Sequence, residues 1–172
     1  MKIIVDTQEK RNMHILEEFN NQNIKWTASK LKYGDYAIEG YEKCFVVERK
    51  ANLLELAGNL SQQRIRFETE LAKARADKCE ILLLLEDDKA RAKVKLRIEM
   101  DRANVSMDTR FKKTWRSKFS GNSMAGSIKA FKDRYKLKLL FCKKCDAGNE
   151  IVKYFKEALH ENNNKAGIGE NE

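Results

Sequence analysis

Leu31-Lys32-Tyr33-Gly34-Asp35-Tyr36-Ala37-Ile38-Glu39-Gly40, followed by Cys44-Phe45-Val46-Val47-Glu48-Arg49-Lys50, is the stretch of this 172-residue chain on which the fold turns. Two short apolar runs flank Glu39-Gly40, which is a β-hairpin pattern. Folding the chain about Gly40 to Lys43 pairs Ile38 with Phe45, Tyr36 with Val47 and Asp35 with Glu48. Side chains directly opposite one another have Cβ atoms roughly 4.5–5.5 Å apart. Two carboxylates at that separation repel unless a cation bridges them. Residues two apart on a strand share a face, so Lys50 stands beside Glu48. The pattern predicts an oxygen-rich divalent-metal site, suited to Mg²⁺ or Mn²⁺, with a lysine next to it. Such a site can polarise a phosphodiester and activate water, with Lys50 easing deprotonation or neutralising charge at phosphorus. The competing reading is a surface hairpin with scattered charges. Gly34-Asp35, the strand context and a basic segment further along favour chemistry.

Outward from the hairpin, residues 2–5 read as a buried strand ending in Asp6, and Met13, Ile15, Leu16 and Phe19 as one face of a helix. Ile24 to Ala28 suggests a second strand. Leu53–Leu60 and Gln62–Ala76 are helices, and Ile81–Leu85 is a central buried strand ending in Glu86-Asp87-Asp88. Between Ala90 and Met100 apolar and charged residues alternate, the strand period, yet the residues are strong helix formers; the composition predicts a helix. Met107, Phe111, Trp115 and Phe119 recur every four residues, a stripe that faces the core or, alternatively, offers Trp115 for base stacking. Ser123 is a candidate cap for a helix through Tyr135, Leu137–Phe141 a last strand, and Ile151–Leu159 part of a closing helix. The whole describes one α/β layer domain over residues 1–160, with a flexible polar tail at 161–172.

Thirty-five Lys and Arg against 26 Asp and Glu give a net charge of +9. From Lys89 to Lys118 there are 11 basic and 3 acidic residues, so +8 of that charge lies in one segment. This is either the footprint of a polyanion binder or a solvated basic face. No apolar run approaches the ~20 residues of a membrane span, so no membrane role and a cytoplasmic setting are expected. Cys44 and Cys79 read as buried thiols. Cys142 and Cys145 have the spacing of a zinc pair, but with no second pair and only His14 and His160 elsewhere they read as structural.

Asp6-Thr7-Gln8-Glu9, Leu31–Tyr36 and Val47-Glu48-Arg49-Lys50, in that order, resemble the nuclease domain of the XPF/Hef structure-specific endonucleases, within the PD-(D/E)xK nuclease superfamily. The resemblance implies a restriction-endonuclease-like α/β core, a central mixed sheet flanked by helices. It makes Asp35, Glu48 and the Arg49 backbone carbonyl the metal ligands and Lys50 the catalytic lysine. The Arg49 side chain becomes a phosphate or structural contact, and Asp6 and Glu9 complete the acidic site. Gln8 stands where the family usually has arginine, and Leu54 where it usually has aspartate, with Glu55 a substitute after a one-residue slip. Arg64 lies in an apolar stripe with Leu60, Phe67, Leu71 and Ala74, where an arginine is costly unless paired. It either reaches a site carboxylate or the scissile phosphate, or snorkels at the edge. Lys112, Lys113 and Arg116 face outward toward DNA phosphates.

The expected function is that of a small, stand-alone, phage- or bacterial-like DNA endonuclease using Mg²⁺ or Mn²⁺. It would act on branched DNA in repair or recombination. Specificity would come from the basic segment, from a homodimer, or from a helicase or DNA-binding partner. The rivals are a catalytically inactive DNA-binding or scaffold subunit, and an RNA nuclease or resolvase on the same core.

Overall fold

The computed structural model of the chain describes residues 1–104, Trp115 and residues 119–168. In chain order the elements are β1 (Lys2–Val5), α1 (Met13–Asn21), β2 (Lys25–Ala28), β3 (Tyr36–Ile38), β4 (Phe45–Lys50), α2 (Leu53–Leu60), α3 (Arg64–Ala76), β5 (Glu80–Leu85), α4 (Ala90–Arg102), α5 (Gly121–Tyr135), β6 (Lys138–Phe141), a 3₁₀ turn at Lys144–Asp146 and α6 (Ala147–Ile168). The six strands form one mixed sheet in the order β2-β1-β3-β4-β5-β6. β1 pairs antiparallel with β3 and β3 with β4, whereas β2 runs parallel to β1, and β4, β5 and β6 run parallel to one another. Short turns allow the antiparallel hairpin, and the helices between β4, β5 and β6 supply the crossovers that parallel strands require.

The sheet divides the core. On one side Ile3, Val5, Tyr36, Val47, Leu82 and Leu84 pack against Ile15 and Phe19 of α1 and Ile151 and Phe155 of α6. On the other, Val46, Ile81, Leu83 and Leu85 pack against α2, α3, α4 and α5 through residues such as Leu56, Phe67, Val94 and Phe131. A strand covered on both faces reads as a continuous apolar run, which is why Ile81–Leu85 is unbroken. β4 is covered in the same way, yet it ends in three charged residues, Glu48, Arg49 and Lys50, at 8%, 6% and 7% exposure. Charges this deep must be paired. Alternation sends Glu48 and Lys50 to the α2–α5 side with Val46, and Arg49 to the α1/α6 side with Val47.

The ambiguous segment is a helix, α4, as its composition requires. Trp115 is buried in the core, and its indole Nε1–H donates to Phe119 O at 3.1 Å, so the core reading of the stripe holds at this residue. Met107, Phe111, Lys112, Lys113 and Arg116 lie outside the described residues. Two local expectations are corrected, the cap of α5 and the burial of Cys44. The cap of α5 is Ser120, whose Oγ accepts from Ser123 N–H at 3.1 Å. The helix begins there because Gly121 passes against the α4 backbone, where a Cβ would collide with Ile98 N. The closing helix contains Ile151–Leu159 as expected and runs through Ile168, with neither proline nor glycine between Leu159 and Gly167 to stop it. Cys44 is exposed, because it lies in the turn just ahead of β4; Cys79 is buried as expected.

Candidate active site

The site forms where β4 runs out of the sheet. Gly34 has φ +65°, and a Cβ there would stand 2.9 Å from Val47 O, so only glycine lets the chain pass this close to β4. The hairpin register is Tyr36 opposite Val47 and Ala37 opposite Val46. Just beyond the ladder, Asp35 N–H donates to Val47 O at 2.8 Å, and Arg49 N–H donates to Asp35 Oδ2 at 2.7 Å. Burial, then the charges of Glu48 and Glu9, push the Asp35 carboxyl well above its ordinary range. Among the described residues its carboxylate has that single backbone N–H donor and no cationic side chain bonded to it.

Lys50 Nζ lies 2.6 Å from Glu48 Oε1 and 5.3 Å from the centre of the Phe67 ring on α3. Burial alone would pull the lysine pKa down; the Glu48 charge and hydrogen bond outweigh it, and the pKa is raised. The ammonium therefore keeps its proton at neutral pH.

Arg49 points through the other face. Its Nε and Nη2 donate to Glu86 Oε1 and Oε2 at 2.7 and 2.8 Å, and its Nη1 donates to Glu9 Oε1 at 2.6 Å. His14 Nε2 on α1 lies 2.7 Å from the same Glu86 Oε1. Arg49 thus engages two carboxylates, Glu86 and Glu9, through its guanidinium. Its backbone is placed differently. Lys50 O accepts from Glu86 N–H at 2.9 Å, so by strand alternation the Arg49 carbonyl faces the opposite edge, the one from which Asp35 approaches.

Asp6 and Glu9 follow the end of β1, with different contacts. The Asp6 carboxylate accepts from Gln8 N–H at 2.7 Å and Leu31 N–H at 2.6 Å, bracing two loops. Glu9 is held by Arg49, and burial, partly offset by that arginine, raises its pKa. Gln8 and Leu54 are exposed. Glu55 accepts from Ala51 N–H at 2.8 Å while its own N–H donates to Asn52 Oδ1 at 2.9 Å, a cap for α2.

Arg64 does not reach the site carboxylates. It pairs with Glu68 at 3.1 Å and its guanidinium lies 5.3 Å from the Phe131 ring centre, because the first turn of α3 faces α5. Three residues that the sequence reading did not single out belong to the neighbourhood. Glu86 and His14 complete the arginine network. Glu70, one turn beyond Phe67 on α3, has its pKa raised by burial and then by the Glu48 charge. The available signals were an acid directly after a buried strand and an acid three residues from an aromatic.

The donors present are hard oxygens, the chemistry that Mg²⁺ and Mn²⁺ select. They fit a divalent cation on one observation above all: the Asp35 carboxylate is buried beside the charges of Glu48 and Glu9, and among the described residues no cationic side chain is bonded to it. Among the described residues no three His, Cys, Asp or Glu side chains converge as a ready-made cage. Glu48 is turned onto Lys50, and Asp35 onto Arg49 N–H.

The ERCC4 domain family model matches residues 5–155. The chain belongs to the ERCC4 domain family. This family lies within the nuclease superfamily. The fold of this ERCC4 domain is similar to that of XPF from Aeropyrum pernix, with a TM-score of 0.60 and 14% identity over 88% of this chain and 61% of that one. It is also similar to XPF from Aeropyrum pernix in complex with DNA, with a TM-score of 0.64 and 14% identity over 93% of this chain and 66% of that one. The ERCC4 domain thus spans less than two thirds of either archaeal chain. No curated protein matches its sequence. No helix among its described residues is long and apolar enough to cross a membrane.

Proposed function

We propose that this ERCC4 domain is a divalent-metal-dependent DNA endonuclease that hydrolyses phosphodiesters, acting on branched DNA in repair or recombination. The observation that carries the reading is the meeting of Asp35, Glu48 and a protonated Lys50 at the end of β4, within a chain of a nuclease family. The likeness to an archaeal XPF solved with DNA favours DNA as the substrate class. Residues 1–160 would form the nuclease unit.

Asp35, Glu48 and the Arg49 carbonyl would hold the cation, which when bound would polarise the phosphodiester and make a water molecule more acidic. Lys50, whose pKa the Glu48 charge raises, would act as an electrostatic group. Its ammonium, supported over Phe67, would donate to a phosphate oxygen and stabilise charge building there. Asp35 would be kept in place by Arg49 N–H, and the end of β4 by the grip of Glu86 and Glu9 on the Arg49 guanidinium. Lys112, Lys113 and Arg116 would engage phosphates away from the scissile bond.

The test is cleavage of a panel of flap, fork, junction and linear DNAs with Mg²⁺ or Mn²⁺. Asp35→Asn and Glu48→Gln should each abolish cleavage while leaving the fold and DNA binding intact. Near-full activity in both variants would remove the assignment. A second reading, an inactive DNA-binding subunit, is favoured by Leu54 and by the absence of three converging ligands among the described residues. DNA binding without cleavage of any of these substrates by the wild type, with either metal, would establish it.

A further inference from the structure

A groove of about 440 Å³ lies between α4, α5 and the edge strand β6, on the side of the sheet that carries Lys50 but away from the site residues. Its floor is apolar: Val94 and Ile98 from α4, Ile128 from α5 and Phe141 from β6. Ile128 and Phe141 are only partly buried, so the groove exposes apolar surface to water in the isolated chain. Its rim is basic. Lys95 and Lys132 are exposed, with no ion pair among the described residues. Arg91 lies over the Phe141 ring at 4.8 Å, and the one acid, Asp133, is already neutralised by Lys129 at 2.8 Å.

An apolar floor inside a positive rim selects its occupant. Nucleic acid would use the cations but gains little from burying Ile98, Ile128 and Phe141, since phosphate contacts need no apolar floor. A second copy docked by this same face would bring Arg91, Lys95 and Lys132 against their own duplicates, because a two-fold interface is self-complementary. We propose that the groove is a docking site for an acidic protein segment, an amphipathic helix with aliphatic or aromatic anchors at i, i+4 and i+7 and Asp or Glu flanking them. The anchors would fill the floor while the acids meet Lys95 and Lys132, which gives register and partner choice as well as attraction. This inference does not depend on the nuclease reading.

The probe is a fluorescein-labelled 16-residue peptide with Leu and Phe anchors at that spacing and Glu at the flanking positions, titrated with the full chain by fluorescence anisotropy. Two controls accompany it: the same peptide with Lys for Glu, and one with Ser for the anchors. The acidic peptide should bind in the micromolar range at low salt and at least tenfold more tightly than either control. The exposed double variant Lys95→Glu with Lys132→Glu should weaken it at least tenfold while leaving the circular dichroism melt unchanged. Equal binding of the controls, or unaltered binding by the double variant, would overturn the proposal. So would displacement of the peptide by duplex DNA with matching loss of DNA affinity in the variant, which would assign the surface to nucleic acid. A concentration-dependent dimer in sedimentation that the double variant alters would assign it to a second copy.

Discussion

Lys50 separates an enzyme from a scaffold most sharply, because its two contacts define what it can do. The ammonium is held between Glu48 and the Phe67 ring and stays protonated, so its contribution is charge aimed at the phosphate. Losing one such contact typically costs ~3–4 kcal/mol in the transition state, a factor of ~10² to 10³ in rate. Lys50→Ala should slow single-turnover cleavage by that order at saturating enzyme, without raising the Mg²⁺ concentration needed for half-maximal activity. Lys50→Arg should not restore the rate, since a planar guanidinium cannot present the same point charge in so enclosed a space. Equal rates for wild type and Lys50→Ala would sink this role. Asp35 allows a test that needs no cleavage at all. Its pKa is raised in the folded chain, so folding favours the protonated form, and stability is lost as pH climbs from the ordinary carboxylate value of 3.8 through the raised one. At pH 8 the metal-free wild type carries that penalty and Asp35→Asn does not. The variant should therefore melt higher than wild type at pH 8, with the difference shrinking at acidic pH. Mg²⁺ should raise the melting temperature of the wild type and leave that of Asp35→Asn nearly unmoved. A wild type indifferent to millimolar Mg²⁺ and Mn²⁺ would count against the metal site.

Between elements, the Glu86 carboxylate is the joint. It ends β5, grips Arg49 of β4 in a two-toothed ion pair and meets His14 of α1, so it fixes the strand end that carries Lys50. Breaking a buried pair by removing one partner typically costs ~3–5 kcal/mol, because the other charge is left uncompensated. For a chain of this size that corresponds to roughly 6–20 °C in melting temperature. Glu86→Gln should fall in this range, and the double variant Arg49→Met with Glu86→Leu should recover most of the loss. Failure of the double variant to recover would mean that Arg49 matters through something other than this pair. Glu86 also shows where sequence reading stops. The hairpin register was legible because Gly34, the Glu39-Gly40 turn and the period-2 pattern are all local, and the placement of Glu48 beside Lys50 followed from that period alone. That β5 lies next to β4 with Leu85 opposite Lys50, and that α1 covers the opposite face, is long-range information. Hence the partners of Arg49 were out of reach, and so was the contact of Arg64 with the Phe131 ring, since the place of α5 beside α3 is equally long-range. α4 was decided by composition against an alternating pattern. Its alternation carries no strand meaning because only Ala90 and Val94, four residues apart, are fully buried.

For the molecule as a whole, the question is where DNA would touch. Eight of the nine net positive charges fall between Lys89 and Lys118, but they are not equally available. Lys93 pairs with Asp87 at 2.6 Å and Arg97 with Asp101 at 2.7 Å, so two of the cations on α4 are already spent inside the fold. The sequence reading gives phosphate contacts to Lys112, Lys113 and Arg116, further along the same segment. Each phosphate neutralised releases counterions, and log K falls with log salt by about 0.9 per contact on duplex DNA. If these three residues each meet one phosphate, replacing all three with alanine should flatten the salt slope by about 2 to 3. Lys93→Ala should leave it close to the wild-type value, because its ammonium is engaged by Asp87. The comparison requires binding isotherms at four or more salt concentrations, in Ca²⁺ or without metal so that no strand is cut. A slope that the triple variant does not change, or one that Lys93→Ala changes as much, would move the DNA footprint off this part of the chain. Two further exposed cations, Lys95 and Lys132 at the apolar groove, give the third arm. Their charge reversal should leave the DNA slope in place if that groove serves an acidic protein segment, so one set of titrations resolves which basic surface meets which partner.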